Sequence, residues 1–465
     1  MKKNKIIVVD LDKSLIKVDI FIECLGRSFI SAPIIFLKTI FILLFRRSIS
    51  ESKTFIAQNF NINIDTIPFN ENVISYLKTC KNNGIKIVLS SGASEIHVSK
   101  IAQKLGLFDH FHGTTKTFNN IGTNKLNLLL NNYGENFIYL GDSKNDHVIW
   151  KKCKSAIVVG KYGKQLIKDN IAIVKTFDNN SMILRSALKQ IRPHQWTKNL
   201  LIFVPSILSY HLFKSDVFFF NLNIFLSFSL IASSMYILND INDVDNDRGH
   251  YDKKERPIAS GNLSITNAYL LFIILFSLGI ITSLIINLNF LYLIVIYIFL
   301  NYFYSLILKK IFLIDVLILT TFYCLRVLSG SIQETVPFSL WLMAFTFFIF
   351  FNLSLVKRFI DLVDLKNNLL DKIAGRVFKV EDIKIIQILG FISSLLAFLT
   401  LTFYILSEQV LKIYESSLLL FFIIPILIFW NVRIWFLASK GILNSDPVIY
   451  VLKDKTSYIV GLIVA

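Results

Sequence analysis

The chain has 465 residues, of which 54% are hydrophobic, 42 are Phe and only 17% are charged, a balance too apolar for a soluble protein of several domains. Its net charge of +17 comes with no zinc-ligand spacing, RNP-type motif or long basic arm, which argues against nucleic acid as a partner. Cys24, Cys80, Cys153 and Cys324 stand singly, which argues against a CxxC zinc site or a disulfide framework.

The start is basic, but its apolar run, residues 6–9, is too short for the apolar core of a signal peptide. That run is β-branched and ends in Asp10-Leu11-Asp12-Lys13-Ser14, so it reads as a buried parallel strand delivering two carboxylates to its C-terminal edge. Open α/β sheets bind ligands at that edge. The next element, residues 29–45, is nearly long enough to span a bilayer. A single crossing there would put Asp10 and Ser91 on opposite faces, so the expectation is an interfacial or re-entrant cap helix with Arg46 and Arg47 near the headgroups. An ordinary buried cap helix is the alternative. A second strand, residues 85–89, ends in Ser90-Ser91-Gly92, and a third, residues 137–140, ends in Gly141-Asp142-Ser143-Lys144-Asn145-Asp146.

The order DxDxS, SSG, GDxxxD at three strand ends resembles the haloacid dehalogenase (HAD) superfamily over about residues 4–160. The resemblance implies a Rossmann-like α/β domain in which Asp10 is the nucleophile and Asp12 the acid that protonates the leaving alcohol. It also implies that Ser91 binds phosphoryl oxygens and Lys125 neutralises them, with Ser90 and Lys116 as alternatives. Asp10, Asp12, Asp142 and Asp146 become the candidate ligands of Mg²⁺, a hard cation suited to oxygen donors. The presence of Asp12 favours phosphatase chemistry, because a phosphate ester needs its leaving oxygen protonated.

Residues 1–175 are therefore expected as the HAD-like domain, 176–198 as a linker with an amphipathic entry segment, and 199–465 as an all-α polytopic bundle. Apolar runs predict about nine spans, at 200–212, 216–238, 267–286, 288–306, 311–330, 338–356, 385–406, 416–437 and 456–465. Alternate loops carry Arg248, Lys253, Lys254, Arg256, Lys309, Lys310, Lys357, Arg358, Lys366, Lys372, Arg376 and Lys379, whereas the opposite loops offer little beyond Lys214 and Lys412. That asymmetry places the N-terminal domain and the basic loops on the cytoplasmic face of an inner membrane.

The chemistry of this half gathers in the same basic loops. Asn239-Asp240-x-x-Asp243-x-x-x-Asp247 fits NDxxDxxxD, and a continuing helix would set Asn239, Asp243 and Asp247 on one face. So many carboxylates at a membrane helix end call for a cation, and Mg²⁺ bridging to a diphosphate supplies one. Lys253, Lys254 and Arg256 follow in a turn suited to phosphate oxygens.

With Arg192-Pro193-x-Gln195-Trp196-x-Lys198-Asn199, Tyr304-Ser305-x-x-x-Lys309, Asp315, Arg326 with Gly330, Lys357-Arg358 and Asp446-Pro447-Val448, residues 190–465 resemble the UbiA superfamily of intramembrane prenyltransferases, and within it the polyprenyl-phosphate phosphoribosyltransferase branch. The resemblance implies that Asp240, Asp243 and Asp247 hold Mg²⁺ and donor diphosphate, assisted by Asn239, Lys198, Lys253, Arg256, Tyr304 and Lys309. Asp315 and Arg326 are further polar anchors. A DxxxD continuation from Asp315 fails, since position 319 is Leu. Lys357 and Arg358 are candidate grips for a lipid phosphate, or topology anchors.

Two partial activities then fit one sequence of reactions. 5-Phosphoribosyl 1-diphosphate (PRPP) and polyprenyl phosphate would give a lipid-linked phosphosugar, whose 5-phosphate the HAD-like domain would remove, for envelope polysaccharide synthesis. The alternatives are a prenyltransferase acting on an aromatic or quinone precursor beside an independent phosphatase, and a non-catalytic transporter or lipid-binding protein. The sequence leaves self-association into a homo-oligomer open.

Overall fold

The computed structural model describes residues 6–178, 182–333, 335–336, 338–367, 377–407, 410, 417–443, 447–451 and 453–464. Of the positions named above, Lys372, Arg376, Lys412 and Asp446 lie outside these. The contacts divide the chain into two compact units, Met1–Gln190 with Ile237–Leu271, and Ile191–Tyr236 with Phe272–Ala465. The segment around the NDxxDxxxD motif thus groups with the N-terminal unit.

In the first unit β1 (Ile6–Val9) is followed by α1 (Ile20–Ser31), α2 (Pro33–Phe45), α3 (Ile49–Asn59) and α4 (Glu71–Asn82). Then come β2 (Lys86–Ser94), α5 (Glu95–Leu105), β3 (His110–Thr114), α6 (Gly122–Tyr133), β4 (Phe137–Gly141), β5 (Ser155–Val159) and β6 (Ile173–Phe177). The six strands form one parallel sheet in the order β3-β2-β1-β4-β5-β6. Ile7, Val9, Leu89 and Leu140 face one apolar cluster of this sheet, and Val8, Val88 and Tyr139 face the other, as the period of two requires. The register pairs Val9 with both Leu89 and Leu140, so Asp10, Ser90 and Gly141 emerge at one level of the central three strands. β2 runs on through Ser94, past the end expected at residue 89, with a register shift between Ser90 and Ser94.

The apolar segment at 29–45 breaks at Ala32, where Pro33 begins α2. Only Thr39 and Ile42 of α2 are buried, whereas Ile34, Leu37, Phe41, Leu44 and Phe45 are exposed. The buried-cap alternative therefore does not describe it. An apolar helix of 13 residues followed by exposed Arg46 and Arg47 has the make-up of an interfacial element.

Besides short helices at His147–Trp150, Gly163–Lys168, Val204–Leu208 and Pro447–Val451, the chain forms α7 (Ile183–Ile191), α8 (Ser215–Asn242), α9 (Val244–Gly249), α10 (Ile265–Ile286), α11 (Leu288–Leu306), α12 (Ile314–Gly330), α13 (Leu340–Asn367), α14 (Ile383–Ile405), α15 (Ile423–Ser439) and α16 (Lys455–Val464). Among the described residues six helical segments are long and apolar enough to cross a membrane, Ser215–Asn242, Ile265–Ile286, Leu288–Leu306, Leu340–Asn367, Val380–Ile405 and Leu419–Ser439. The other three expected spans fall short of that length among the described residues, each for a local reason. The run at 200–212 folds as a 3₁₀ segment, Pro193–Phe203, and a short helix, Val204–Leu208, because Pro205 lacks an N–H and Tyr210 turns the chain at φ 58°. α12 has 17 residues and α16 only 10.

Within the second unit, α13, α14 and α15 meet through a buried polar knot in an otherwise apolar cluster. Asn352 donates to the Gly390 carbonyl and to Ser394, and Asn431 donates to Ser394. Such interhelical bonds contribute roughly 1 kcal/mol each and fix helix register. Gly330 lets α12 approach the Pro193–Phe203 segment, since a β-carbon there would collide with the Ile202 carbonyl. That approach positions Asn199 for Arg326.

Candidate active sites

The strand register delivers Asp10, Asp142 and Asp146 to one place, with one carboxylate oxygen of each within 4.8 Å of the others. Among the described residues this is the one such three-acid group. Asp146 organises the loop: Oδ1 accepts from Tyr139 at 2.6 Å, and Oδ2 accepts from the Ser143 amide and hydroxyl and the Asp142 amide. Asp142 accepts from Ser14 at 3.3 Å. Burial pushes the Asp142 carboxyl up to about 8, with Asp10 and Asp146 adding repulsion. Three oxygen donors held together against their own repulsion fit a hard divalent cation.

Lys125, on α6 and almost fully buried, donates to Asp10 at 2.6 Å. Burial raises Asp10 to about 6, against which Lys125 pulls it down. The alternative lysine, Lys116, is exposed and lies 4.0 Å from Glu51. Ser90 accepts from the Asn120 amide at 3.2 Å and Ser91 from the Ala93 amide at 3.0 Å, so either hydroxyl keeps its proton to donate. Asp12 stands outside the three-acid group and accepts from the Ile20 amide at 3.0 Å. Burial, then the charges of Asp19 and Asp10, raise the Asp12 carboxyl well above the ordinary range, the state a general acid requires. This arrangement can perform attack by Asp10 on phosphorus and protonation by Asp12 of the departing oxygen.

The second acidic motif lies at the junction of α8 and α9. α8 ends at Asn242, yet Asp243 still donates its amide to Asn239 and Asp247 to Asp243, so the four-residue repeat persists across the break. Asp240 and Asp247 are buried, and Arg256 bridges them at 3.2 and 2.6 Å. Gln190, at the end of α7, donates to the other oxygen of Asp240 at 2.7 Å. Burial lifts Asp247 to about 6 even with Arg256 and Lys253 nearby. The structure therefore brings Asp240 and Asp247 together around a cation, the Arg256 guanidinium, and sets Asp243 on the less buried side of the break. Arg256 thus supplies the positive charge there, and among the described residues Asp240, Asp243 and Asp247 do not form a close three-acid group.

α9 is anchored to the cap. Glu23 of α1 accepts from Arg248 at 2.7 and 2.9 Å and from Arg27 at 3.3 Å, and Arg27 in turn donates to Asp245. Glu23 and the Arg248 side chain are 2% and 3% exposed, so this four-residue network is shielded from solvent where the two meet.

In the second unit Asp315 is fully buried and accepts from Tyr304 at 2.8 Å and from Arg358, which also donates to Asp361 at 2.7 Å. The Arg358 guanidinium is thus committed to two carboxylates. Arg326 donates to Asn199 at 2.7 Å and to the Phe322 carbonyl, and stacks 4.8 Å from the Phe228 ring centroid. Lys198 and Lys309 are buried, and Lys357 is half-buried.

A model of the UbiA prenyltransferase family matches residues 202–441, just over half of the chain. The chain belongs to the UbiA prenyltransferase family. y4nM of Sinorhizobium fredii is 30% identical over 99% of this chain and 89% of its own length. The decaprenyl-phosphate phosphoribosyltransferase of Mycolicibacterium smegmatis is 32% identical over 34% of this chain and 51% of its own, so that match spans about half of the enzyme. A substrate-bound phosphoserine phosphatase aligns at 20% identity with a TM-score of 0.28, over 38% of this chain and 95% of that one.

The protein is accordingly a multi-pass UbiA-family membrane enzyme whose N-terminal unit is a parallel α/β domain. Three residues near its sites escaped sequence reasoning. Lys53 of α3 reaches the Gly92 carbonyl beside Ser91 at 2.6 Å, and its charge acts on Asp12 and Asp10. Asn120 ties Ser90, the Ser91 carbonyl and the His112 carbonyl together. Gln190 fell in the segment expected as linker. None belongs to a spaced motif, and the lone signal was the oddity of a Lys and a Gln on otherwise apolar helix faces.

Proposed function

We propose that this UbiA-family enzyme makes a lipid-linked pentose in two steps, transferring 5-phosphoribose from PRPP to polyprenyl phosphate and then removing the 5-phosphate. The observation that carries the reading is a phosphomonoesterase arrangement, Asp10 with Lys125 at 2.6 Å and a raised Asp12, in one chain with a transferase domain akin to a phosphoribosyltransferase. Transfer from PRPP leaves a phosphomonoester on the sugar, which is the ester such a site consumes.

In the transfer, a lipid phosphate oxygen bonds to C1 of the ribose as the C1 bond to diphosphate breaks. Asp240, Asp243 and Asp247, with Asn239, Lys253 and Arg256, would hold the donor diphosphate with Mg²⁺, whose charge favours its departure. Lys198, Tyr304, Lys309, Asp315, Arg326, Lys357 and Arg358 are assigned to substrate by family resemblance; of these Arg326 and Arg358 act by positioning, given their bonds to Asn199 and Asp315. In the hydrolysis, Asp10 bonds to phosphorus and Asp12 passes its proton to the sugar oxygen. Water then attacks the aspartyl-phosphate, losing its proton to Asp12 and freeing inorganic phosphate. Asp10, Asp142 and Asp146 would hold Mg²⁺ there, which screens the phosphoryl charge.

PRPP is a cytosolic, multiply charged donor and the basic loops follow the positive-inside bias, so the N-terminal domain and those loops belong on the cytoplasmic face of the inner membrane, with α2 in the headgroup region. The test uses membranes carrying Asp10→Asn, supplied with radiolabelled PRPP and polyprenyl phosphate. They should accumulate a lipid that keeps the sugar 5-phosphate, which the unmodified protein converts to a form with one phosphate fewer. Movement of an isoprenoid chain from an allylic diphosphate to an aromatic acceptor, with no ribosyl lipid from either protein, would replace this reading with the quinone-type one.

A further inference from the structure

The first unit contains a cavity of about 320 Å³ built by two distant stretches of chain. One wall is the segment after the catalytic aspartates, Lys13, Lys17, Val18 and Asp19 with Ile22 and Glu23 of α1. The other follows the second acidic motif and includes Ile258, Leu263, Ile265 and Thr266. The walls are held close. Gly261, at φ 77°, sits where a β-carbon would come within 2.9 Å of the Lys17 β-carbon, and the Lys17 amide is fixed on the Pro68 carbonyl. Arg248 holds the far wall by donating to the Ala259 carbonyl at 2.9 Å while it grips Glu23.

The position of the cavity follows from its neighbours. Asp12 accepts from the Ile20 amide at the start of α1, so the cavity's first wall begins directly beside the acid that protonates the leaving oxygen. Whatever is attached to that oxygen must lie on this side. Its lining pairs two exposed lysines with a run of aliphatic side chains. Of the two carboxylates there, Glu23 is neutralised by Arg248 and Arg27, and Asp19 is turned to cap α1 through the Ile22 amide at 3.0 Å. The surplus is positive beside an apolar patch. A volume near the lower end for small-molecule sites accommodates a sugar phosphodiester and the first carbons of a lipid, and no more of the chain.

We propose that this cavity is the leaving-group subsite of the phosphatase, recognising an anionic phosphodiester joined to an alkyl or isoprenoid chain. Lys13 and Lys17 take the diester charge, and Val18, Ile22, Ile258 and Leu263 take the first hydrocarbon. This deepens the phosphatase half of the reading above and rests on it. A segment following the UbiA motif would then set which phosphomonoesters the HAD-like site accepts, selecting lipid-linked esters over free sugar phosphates.

The test uses the full-length protein in detergent and a probe that needs no transferase product, methyl farnesyl phosphodiester, as an inhibitor of p-nitrophenyl phosphate hydrolysis. The unmodified protein should be inhibited, and dimethyl phosphate, which carries the diester charge without the hydrocarbon, should inhibit less. Lys17→Glu, which reverses one charge, and Thr266→Trp, which fills the cavity from an exposed position, should each raise the inhibition constant about tenfold or more, near 1.4 kcal/mol. No inhibition of the unmodified protein, or an equal inhibition constant in whichever variant retains hydrolysis, overturns the subsite. The outcomes separate the two proposals: inhibition by the diester with no ribosyl lipid from PRPP leaves the subsite standing and removes the phosphoribosyl reading. Ribosyl lipid formation without inhibition does the reverse.

Discussion

Replacing Glu23 with Gln tests how the second acidic motif is held. In the folded protein Glu23 gives both carboxylate oxygens to Arg248, at 2.7 and 2.9 Å, and accepts a third bond from Arg27. Burial alone would raise this carboxyl, yet Arg248 and then Arg27 hold it below its ordinary value, so the ionised form prevails. The amide keeps one acceptor for Arg248 beside its bond to Ala259, and supplies no neutralising charge. Breaking one side of a buried ion pair costs about 3–5 kcal/mol, and Gln keeps one acceptor, so about 3 kcal/mol is expected. Arg248→Met should cost a similar amount. The double variant should cost less than the two together, with a coupling energy of roughly 2–4 kcal/mol. Hydrogen exchange of the α9 amides reads this as the free energy of local opening. The sign with pH is fixed: the carboxyl is depressed on folding, so its stabilisation is complete above the ordinary carboxyl range and fades as pH falls below it. A Glu23→Gln protein whose α9 exchange shifts by less than about 0.5 kcal/mol would refute the reasoning, since desolvation would then cancel the attraction.

Asp247→Asn should lower transfer from the diphosphate donor at least about 100-fold while p-nitrophenyl phosphate hydrolysis persists, measured on the same membranes. Because burial holds Asp142 near 8 and Asp10 near 6, Mg²⁺ must displace protons at neutral pH. Its apparent affinity for the phosphatase site should tighten by about tenfold per pH unit between roughly 6 and 8, with proton release seen calorimetrically in buffers of different ionisation enthalpy. A pH-independent affinity would exclude Asp142 as a ligand. A tag at residue 1 and one within 368–376 should report the cytoplasm, and one at residue 334 the opposite face; a cytoplasmic tag at 334 would overturn the orientation.

Local signals carried most of what the sequence told. The three strands of the N-terminal candidate site were legible because β-branched runs ending in hydroxyls and carboxylates encode both burial and position, and the register then set Asp10, Ser90 and Gly141 at one level. α8 and α10 were legible from length and apolarity alone. The run at 200–212 misled because hydropathy ignores the backbone: Pro205 and the left-handed Tyr210 stop a helix that composition permits. Lys53 and Asn120 were not legible, since each meets its partners only after the cap and sheet have folded. The Glu23–Arg248 pair joins residues 225 apart, a relation that no periodicity can encode.

That pair also governs how the protein can be dissected. The N-terminal unit draws on Ile237–Leu271 as well as on Met1–Gln190. A fragment ending at the first membrane helix would keep Asp10, Lys125 and Asp142 but lose Arg248, leaving Glu23 with Arg27 alone and opening one wall of the cavity beside Asp12. On the proposed reading, single substitutions would separate the two chemistries and truncation would not. A gene split at that boundary would have to supply the missing stretch in trans.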